Sequence, residues 1–370
     1  MAKSRLLQPP WLELTIMFVA VILSYAGLSI ISSLSAAPAA GEMSNGTITL
    51  WLLAFFLLSF VITIISVLAG IGGGVIFTPI MMAFTPIDSV VIRATGLLIA
   101  MFSGLIAASV YMKKGIGNLK LCATLAVSQG IGALIGAQTA VVSANAFGAT
   151  GDGVLRIVLG IMLLAISVYL IMGSKKLEWP NIQNTDAFTK WMKLDHTYYE
   201  ESDGKVHSYR ITRILLGLVF LLGIGFLGGF FGMGAGWAIT PVQNLAMGVP
   251  LKAAMANTVI IISMVDCVSV WPYILAGGII PLFVLPWLAA QLFGGSLGAN
   301  IMVRIKVTVV RLILIGIMIF TSFTLVTDGL TKLKLMPKMS GAVTMVVFVI
   351  VMIIDGVLIY SYMKNESEKK

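Results

Sequence analysis

The chain has 370 residues, of which 59% are hydrophobic and only 11% are charged, and its formal net charge is +9. A soluble domain carries about 25% charged residues, so this composition excludes an ordinary soluble globular protein. The Lys and Arg residues lie in short segments between apolar runs, where they act as topology signals, so we expect no nucleic-acid partner. Two cysteines and two histidines are too few for a disulfide framework or a Cys/His metal cluster, and we expect no metal, no cofactor and no enzyme.

Ten apolar stretches follow one another along the chain, most of them long enough to cross about 30 Å of hydrocarbon as a helix. They lie at roughly 12–34, 49–70, 94–112, 119–142, 153–173, 211–231, 252–276, 279–302, 312–328 and 341–363. The first is longer than the apolar core of a signal peptide, so we interpret it as a retained helix. The fold class predicted is an all-α integral membrane protein with about ten transmembrane helices.

Two glycine-rich stretches interrupt this pattern in the same way. Residues 70–79 read GIGGGVIFTP and residues 232–241 read GMGAGWAITP, and both fit G-x-G-[GA]-G-x-x-x-T-P. The apolar pieces that follow, at 75–86 and 237–248, have about 12 residues each and cover only about 18 Å as helix. Each stretch is therefore predicted to be a broken helix.

The two stretches belong to a longer tandem repeat with an offset of 162 residues, which continues without a gap from 70 to 138. At this offset Tyr111 pairs with Tyr273, and Gln129 with Gln291. The predicted segments are an N-terminal helix and outer loop (1–48), repeat 1 (49–173), an insertion (174–210), repeat 2 (211–328), and a C-terminal helix and tail (329–370).

Basic residues indicate how the repeats are oriented. Loops rich in Lys and Arg lie on the cytoplasmic side of a membrane protein. Lys3 and Arg5 therefore put the N-terminus in the cytoplasm, and the basic residues of the insertion and the C-terminus put those segments there as well. The loop at Lys113 is assigned inside, whereas its partner at Gly277 has no charge and is assigned outside, so the repeats are predicted to be inverted. Inverted repeats with broken helices are typical of secondary transporters. The basic loop at 332–338 disagrees with this topology.

The insertion is the one sizeable polar segment. Its sequence TYYEESDGKVHSY has β-prone residues on both sides of Asp203 and Gly204, which predicts a small cytoplasmic hairpin. A disordered linker is the alternative.

Each glycine stretch is followed by a similar start to the next helix, Ala94 and Thr95 in one repeat and Ala256, Asn257 and Thr258 in the other. With its duplication at a fixed offset, this pattern resembles the sulfite exporter TauE/SafE family of bacterial and archaeal membrane proteins, over about residues 49–328. The resemblance implies a transporter in the cytoplasmic (inner) membrane that moves sulfite, a sulfonate or a related small organosulfur anion, often outward.

We expect the substrate at the two broken helices. A helix that restarts after a glycine cluster presents unpaired N–H groups and the positive end of its dipole, which suits an anion, and nearby hydroxyl and amide groups add neutral donors. The predicted substrate-binding residues are Gly72, Gly73, Gly74, Thr78, Pro79, Gln129, Gly234, Ala235, Gly236, Thr240, Pro241, Asn257 and Gln291. Two alternatives stay open, a purely structural hinge at the glycines and a Gln pair that only holds helices together.

Asp266 lies well inside an apolar stretch, and an intramembrane carboxylate is a functional hypothesis by default. We hypothesise that it carries a coupling proton; a bond to a neighbouring helix is the alternative. Anion export needs no coupled ion. Because the cytoplasm is electrically negative, one negative charge that moves outward gains about 2.3 kcal/mol per 100 mV of membrane potential.

The predicted function is export of sulfite or an organosulfonate by alternating access. Proton-coupled uptake of a sulfur-containing anion and an anion channel are alternatives. A remote one is a thiol-disulfide electron conduit of Cys122 and Cys267, which the repeat offset does not relate. The sequence indicates no oligomeric state.

Overall fold

The computed structural model of the chain describes residues 45–84, 87–146, 148–172, 185–202, 204–304 and 307–340, with scattered positions between 343 and 357. The predicted helix at 12–34 lies outside the described residues, as does most of the one at 341–363.

The described part is mostly helical, as predicted. In chain order the elements are α1 (Asn45–Leu68), α2 (Gly74–Phe84), α3 (Ser89–Lys113), α4 (Leu119–Ala146), α5 (Gly148–Met172), α6 (Ala187–Met192), β1 (His196–Glu200), β2 (Lys205–Tyr209), α7 (Ile214–Phe231), α8 (Gly236–Pro241), a π-helix (Val242–Ala246), α9 (Leu251–Ser269), α10 (Trp271–Leu275), α11 (Pro281–Arg304) and α12 (Val307–Lys332).

Six spans in the described part are long and apolar enough to cross a membrane: α1, α3, α4, α7, α9 continued by α10, and α11. The chain is therefore a multi-pass membrane protein. The total of about ten helices stays a prediction, because part of the chain lies outside the described ranges.

Helix packing places α3 and α9 at the centre. They pack against each other, and α4 packs on α9 as α11 packs on α3. Further out, α1 pairs with α11, α4 with α7, and α5 with α12. In the most apolar 18-residue stretch of the α3 span and of the span formed by α9 and α10, 67% of the residues are buried, whereas in α1 only 17% are. The side chains that α1 exposes are large and apolar, among them Leu50, Trp51 and Leu53, as expected for a surface that faces lipid.

Both broken helices are present. The segment 70–74, here the first break, separates α1 from the short α2, and the segment 232–236, the second break, separates α7 from the short α8. Their left-handed glycines are Gly70 (φ 67°), Gly72 (φ 76°), Gly232 (φ 65°) and Gly234 (φ 72°).

The two helix ends before the breaks are closed in the same manner. In α1 the N–H of Ile71 donates to the carbonyl oxygen of Ser66 at 3.0 Å. At the equivalent place in α7 the N–H of Met233 donates to Gly228 at 3.4 Å. This is a Schellman ending, which requires a left-handed residue after the helix, and glycine adopts that conformation without strain.

Part of the insertion folds into α6 and an antiparallel hairpin, at the place where the sequence predicts one. The hairpin register pairs His196 with Tyr209 and Glu200 with Lys205. Asp186 caps α6 and also fixes the start of α7, because its carboxylate accepts hydrogen bonds from the Thr189 N–H at 3.1 Å and the Arg213 N–H at 2.6 Å.

Candidate functional site

The two breaks touch each other directly. A Cβ atom on Gly74 would lie 2.9 Å from the carbonyl oxygen of Met233, and one on Gly236 would lie 2.0 Å from the carbonyl oxygen of Ile71. Both distances are too short for any side chain, so the glycines are needed for this close approach. We call this meeting of the first and second breaks the junction.

A second pair of contacts surrounds the junction. A Cβ on Gly70 would lie 2.5 Å from the Cβ of Met255, and one on Gly232 would lie 2.1 Å from the Cβ of Arg93. Met255 is 162 positions after Arg93, as Gly232 is after Gly70. These two contacts, like the two at the junction, are therefore exchanged with each other when the two halves of the chain are exchanged.

The second break lies deep in the helical bundle. The short α8 and the π-helix have six and five residues, which together cover about 16 Å at helical rise. They end beside the start of α7, where the N–H of Thr212 donates to the carbonyl oxygen of Met247 at 3.2 Å. The break itself follows the last residue of α7, whose 18 residues cover about 27 Å at helical rise, and residues 232–236 are all buried.

The first break carries polar groups of three helices. The N–H of Gly73 donates to the hydroxyl of Ser103 on α3 at 3.2 Å. Gln291 of α11 donates through Nε2 to the hydroxyl of Ser59 at 2.7 Å. Its Oε1 lies 3.1 Å from the place of a Cβ on Gly73 and has no hydrogen-bond partner among the described residues. The start of α2, whose first-turn N–H groups have no partner within the helix, thus lies beside a buried amide oxygen.

The second break carries a carboxylate. Asp266 of α9 is 2% exposed, and its Oδ2 lies 2.9 Å from the place of a Cβ on Gly234. Its Oδ1 accepts a long hydrogen bond of 3.4 Å from the hydroxyl of Ser269, whereas Oδ2 has no partner in the part of the chain that the structure describes. The one intramembrane carboxylate singled out from the sequence therefore faces a break.

Arg93 is a buried charge that sequence reasoning missed. It is 4% exposed, lies against Gly232, and holds its guanidinium carbon 5.7 Å from the centre of the Phe230 ring. The apolar pattern begins at residue 94, which left Arg93 in a loop. The Asp88 carboxylate accepts a hydrogen bond from the N–H of Val90 at 2.7 Å, so α3 starts earlier and includes Arg93 in its second turn. Asp88, as an N-cap residue, was the sequence signal that could have placed Arg93 within a helix.

The two predicted threonines both have protein partners. The hydroxyl of Thr78 donates to the carbonyl oxygen of Gly232 at 3.0 Å, which ties α2 to the second break. The hydroxyl of Thr240 lies 2.8 Å from that of Thr258 on α9. Pro79 lies within α2, and Pro241 ends α8 just before the π-helix.

The predicted amides differ in their surroundings. Asn257 donates to Gln243 at 3.0 Å and accepts from the N–H of Asn118 at 2.8 Å, so protein groups occupy both ends of its amide. Gln129 is fully buried where α4 meets Gly225 of α7, and neither amide atom has a partner among the described residues.

The two cysteines lie apart. Cys122 is buried beside Asn257, with its sulfur 3.6 Å from that residue's carbonyl oxygen, whereas Cys267 is exposed on the same helix as Asn257. Ten positions along α9 correspond to about 15 Å, and a disulfide needs Cα atoms within about 7 Å. Within the described ranges, no three His, Cys, Asp or Glu side chains are grouped as metal ligands.

Comparison with known proteins gave one family and one curated relative. A family model described as "Sulfite exporter TauE/SafE" matches residues 54–325, well over half of the chain. The "Probable membrane transporter protein YunE" of Bacillus subtilis (strain 168) is 25% identical over 271 residues, which cover 71% of this chain and 93% of that protein. No solved structure matches the chain.

Proposed function

The chain belongs to the sulfite exporter TauE/SafE family, and from this premise we propose that it exports sulfite or an organosulfonate across the cytoplasmic membrane by alternating access, with the junction as the anion path. Membership in a transporter family makes it a membrane transporter and not an enzyme. The Bacillus subtilis relative is named only as a probable membrane transporter, so the choice of a sulfur oxyanion rests on the family.

Two inverted repeats are part of the proposal, and the reciprocal contacts support them. A two-fold axis in the membrane plane exchanges the repeats, so a contact between one residue and another must recur between their partners. The pairs Gly74 with Met233 and Gly236 with Ile71 satisfy this rule. The helix pairs do so as well, because α1 with α11 corresponds to α7 with α4. The N- and C-termini and the insertion are then cytoplasmic by the distribution of basic residues.

The junction is the observation that carries the function. On a two-fold axis, the breaks can meet only near the middle of the bilayer, where an alternating-access carrier needs its substrate site. There the first turn of α2 supplies N–H groups and the positive end of a helix dipole, which favour an anion over a cation. The close packing at Gly74 and Gly236 leaves the site shut in this conformation, so substrate entry requires movement of one repeat against the other.

Arg93 adds a full positive charge beside the second break. A guanidinium binds an oxyanion through two parallel N–H bonds, a geometry that sulfite and sulfonates offer. We therefore add Arg93 to the predicted substrate-binding residues. The fixed charge also favours a charged substrate over a neutral solute.

Asp266 favours the coupling of proton binding to anion transport at the junction. Its Oδ2 faces Gly234 next to the proposed anion site, and an ionised carboxylate there repels an anion. A protonated Asp266 removes that repulsion and offers a hydrogen-bond donor. Proton binding and anion binding then support each other, as coupling requires. Coupled uptake of a sulfur-containing anion is the second candidate function that this observation favours.

Flux measurements test the function. Purified protein in proteoliposomes is given labelled sulfite, a sulfonate or chloride under a membrane potential of either sign, with protein-free vesicles as the control. We expect sulfite or the sulfonate to move faster than chloride, in the direction that the potential favours. No flux of any of the three anions at either sign overturns the proposal.

Exchange distinguishes a carrier from a channel. Unlabelled substrate on the far side accelerates the flux of label through an alternating-access carrier, because the loaded site returns faster than the empty one. We expect this acceleration with sulfite, and its absence favours an anion channel.

A further inference from the structure

The insertion reaches into the bundle through a buried ion pair. Glu200, at the end of β1, accepts a hydrogen bond from the ammonium group of Lys252 in the first turn of α9, and the two residues are 1% and 0% exposed. The same ammonium donates to the carbonyl oxygen of Val303 near the end of α11, at 2.7 Å. The hydroxyl of Ser202 holds the Glu200 carboxylate at 2.6 Å. One carboxylate of the insertion is thereby joined to the ends of two core helices.

The insertion is also bound to the turn between α3 and α4. The ring nitrogen Nε2 of His196 lies 2.9 Å from the carbonyl oxygen of Gly115, and the side-chain amide of Asn118 donates to the carbonyl oxygen of Leu194 at 2.7 Å. The ends of α3, α4, α9 and α11 therefore meet at one face of the bundle, which described residues between 194 and 202 of the insertion contact. We call it the insertion face.

We propose that the insertion is a latch that holds the insertion face closed through the Glu200–Lys252 ion pair. This inference rests on the alternating access of the proposed function. For the insertion face to open, α9 and α11 must separate from the hairpin, and the buried pair opposes that separation because each charge would lose its partner.

The repeat shows why such a latch changes the transport cycle. The position equivalent to Lys252 in the first repeat is Val90, so the ion pair has no repeat-related copy for the opposite face. Two inverted repeats alone give two conformations of similar energy, which the two-fold axis relates to each other. An ion pair present at one face only shifts the population toward the conformation closed at that face.

The chain has a native reporter behind the latch. Cys122 is fully buried in the first turn of α4, where its sulfur lies 3.5 Å from the side-chain oxygen of Asn257, and Asn257 also accepts from the N–H of Asn118. With Cys267→Ser removing the exposed thiol, the rate at which N-ethylmaleimide alkylates Cys122 measures how often the insertion face opens.

The test compares two neighbouring carboxylates of the hairpin in this single-cysteine protein. Glu200→Gln removes the negative charge of the ion pair. It should raise the alkylation rate of Cys122 about tenfold or more, because the conformation in which the insertion face is open becomes more populated. Glu201→Gln removes a surface ion pair with Lys114, whose side chains are 26% and 42% exposed, and should leave the rate within about twofold. If Glu200→Gln fails to fold, the double variant Glu200→Gln with Lys252→Met serves instead, because it leaves no unpaired buried charge.

A second reporter separates opening from unfolding. Ser269 is buried at the other end of α9, about 25 Å from Lys252 along the helix, so Ser269→Cys in a protein without the native cysteines reports on the opposite side. The latch predicts that Glu200→Gln speeds the alkylation of Cys122 only. An unchanged Cys122 rate, or an equal rise at position 269, overturns it. A faster Cys122 rate in a protein whose wild type moves no anion supports the latch and overturns the proposed function.

Discussion

The sharpest structural prediction compares Gly232→Ala with Gly115→Ala. The two glycines have nearly the same left-handed backbone, with φ of 65° and 68°. A Cβ on Gly232 would lie 2.1 Å from the Cβ of Arg93, whereas a Cβ on Gly115 would have nothing within 4 Å. The pair therefore separates the cost of packing at the junction from the cost of the backbone conformation.

The magnitudes follow from these two costs. Placing an L-residue in the left-handed region costs about 1 kcal/mol, and both variants carry this cost. Inserting a methyl group into a closely packed interior costs about 1–3 kcal/mol more, and only Gly232→Ala carries it. We expect the free energy of unfolding to fall by about 1 kcal/mol in Gly115→Ala and by about 2–4 kcal/mol in Gly232→Ala.

The assay is unfolding of the detergent-solubilised protein by SDS titration, followed by helical circular dichroism, under identical conditions for both variants and the wild type. Sulfite flux measured on the folded fraction should also fall in Gly232→Ala and stay near wild type in Gly115→Ala. Equal losses of stability in the two variants would show that the second break does not pack against Arg93.

Three further predictions concern charged groups. Asp266→Asn keeps the size of the side chain but cannot bind a proton, so sulfite flux should lose its pH dependence. Asp88→Asn at a helix cap should keep that pH dependence. An unchanged dependence of sulfite flux on pH in Asp266→Asn would exclude proton coupling through Asp266. Arg93→Gln should lower kcat/KM for sulfite about tenfold or more, since a hydrogen bond to a charged group contributes about 1.5–3 kcal/mol. Arg304 is exposed, so Arg304→Gln should change kcat/KM little. Similar values of kcat/KM in the two variants would remove Arg93 from the site. For Asp186, burial raises the pKa but hydrogen bonds from Thr189 and Arg213 outweigh it, so the pKa lies below its ordinary value. Its stabilisation is therefore present at neutral pH and lost as pH falls through the folded-state pKa. Asp186→Ala should speed hydrogen exchange of α6 amides at pH 7 by the equivalent of about 1 kcal/mol, with a smaller effect below about pH 4; an effect of the same size at pH 3 would contradict this.

The backbone of the broken helices was predictable because it depends on local sequence. Gly70 and Gly232 take the left-handed conformation that ends a helix, and no other residue type does so at so little cost. The helical membrane fold was equally accessible, since apolar length alone indicates it.

The surroundings of the breaks were less accessible, because they depend on which helices pack together. The sequence contains Arg93, but only the start of α3 at Ser89 places it beside Gly232. Likewise, Gln129 and Gln291 are equivalent in the repeat, yet only the amide oxygen of Gln291 lies beside a glycine of a break.

The role of the insertion was also beyond the sequence. A hairpin follows from β-prone residues around Gly204, but the burial of Glu200 against Lys252 joins residues 52 positions apart. A charged residue in a polar segment is ordinarily solvated, so no local pattern marks Glu200 as buried.

If a small anion crosses the membrane at the junction, extra volume at the first break must block it. A methyl group added at Gly73 would lie 2.5 Å from Cγ2 of Ile99 and 3.1 Å from Oε1 of Gln291, whereas one added at Gly130 on α4 would meet nothing within 4 Å. In proteoliposomes under an imposed potential, Gly73→Ala should reduce sulfite flux at least about tenfold while the protein stays folded, because small displacements at a binding site are costly, and Gly130→Ala should transport like the wild type. Wild-type flux in folded Gly73→Ala would show that the anion does not pass the first break and would leave the breaks as structural hinges.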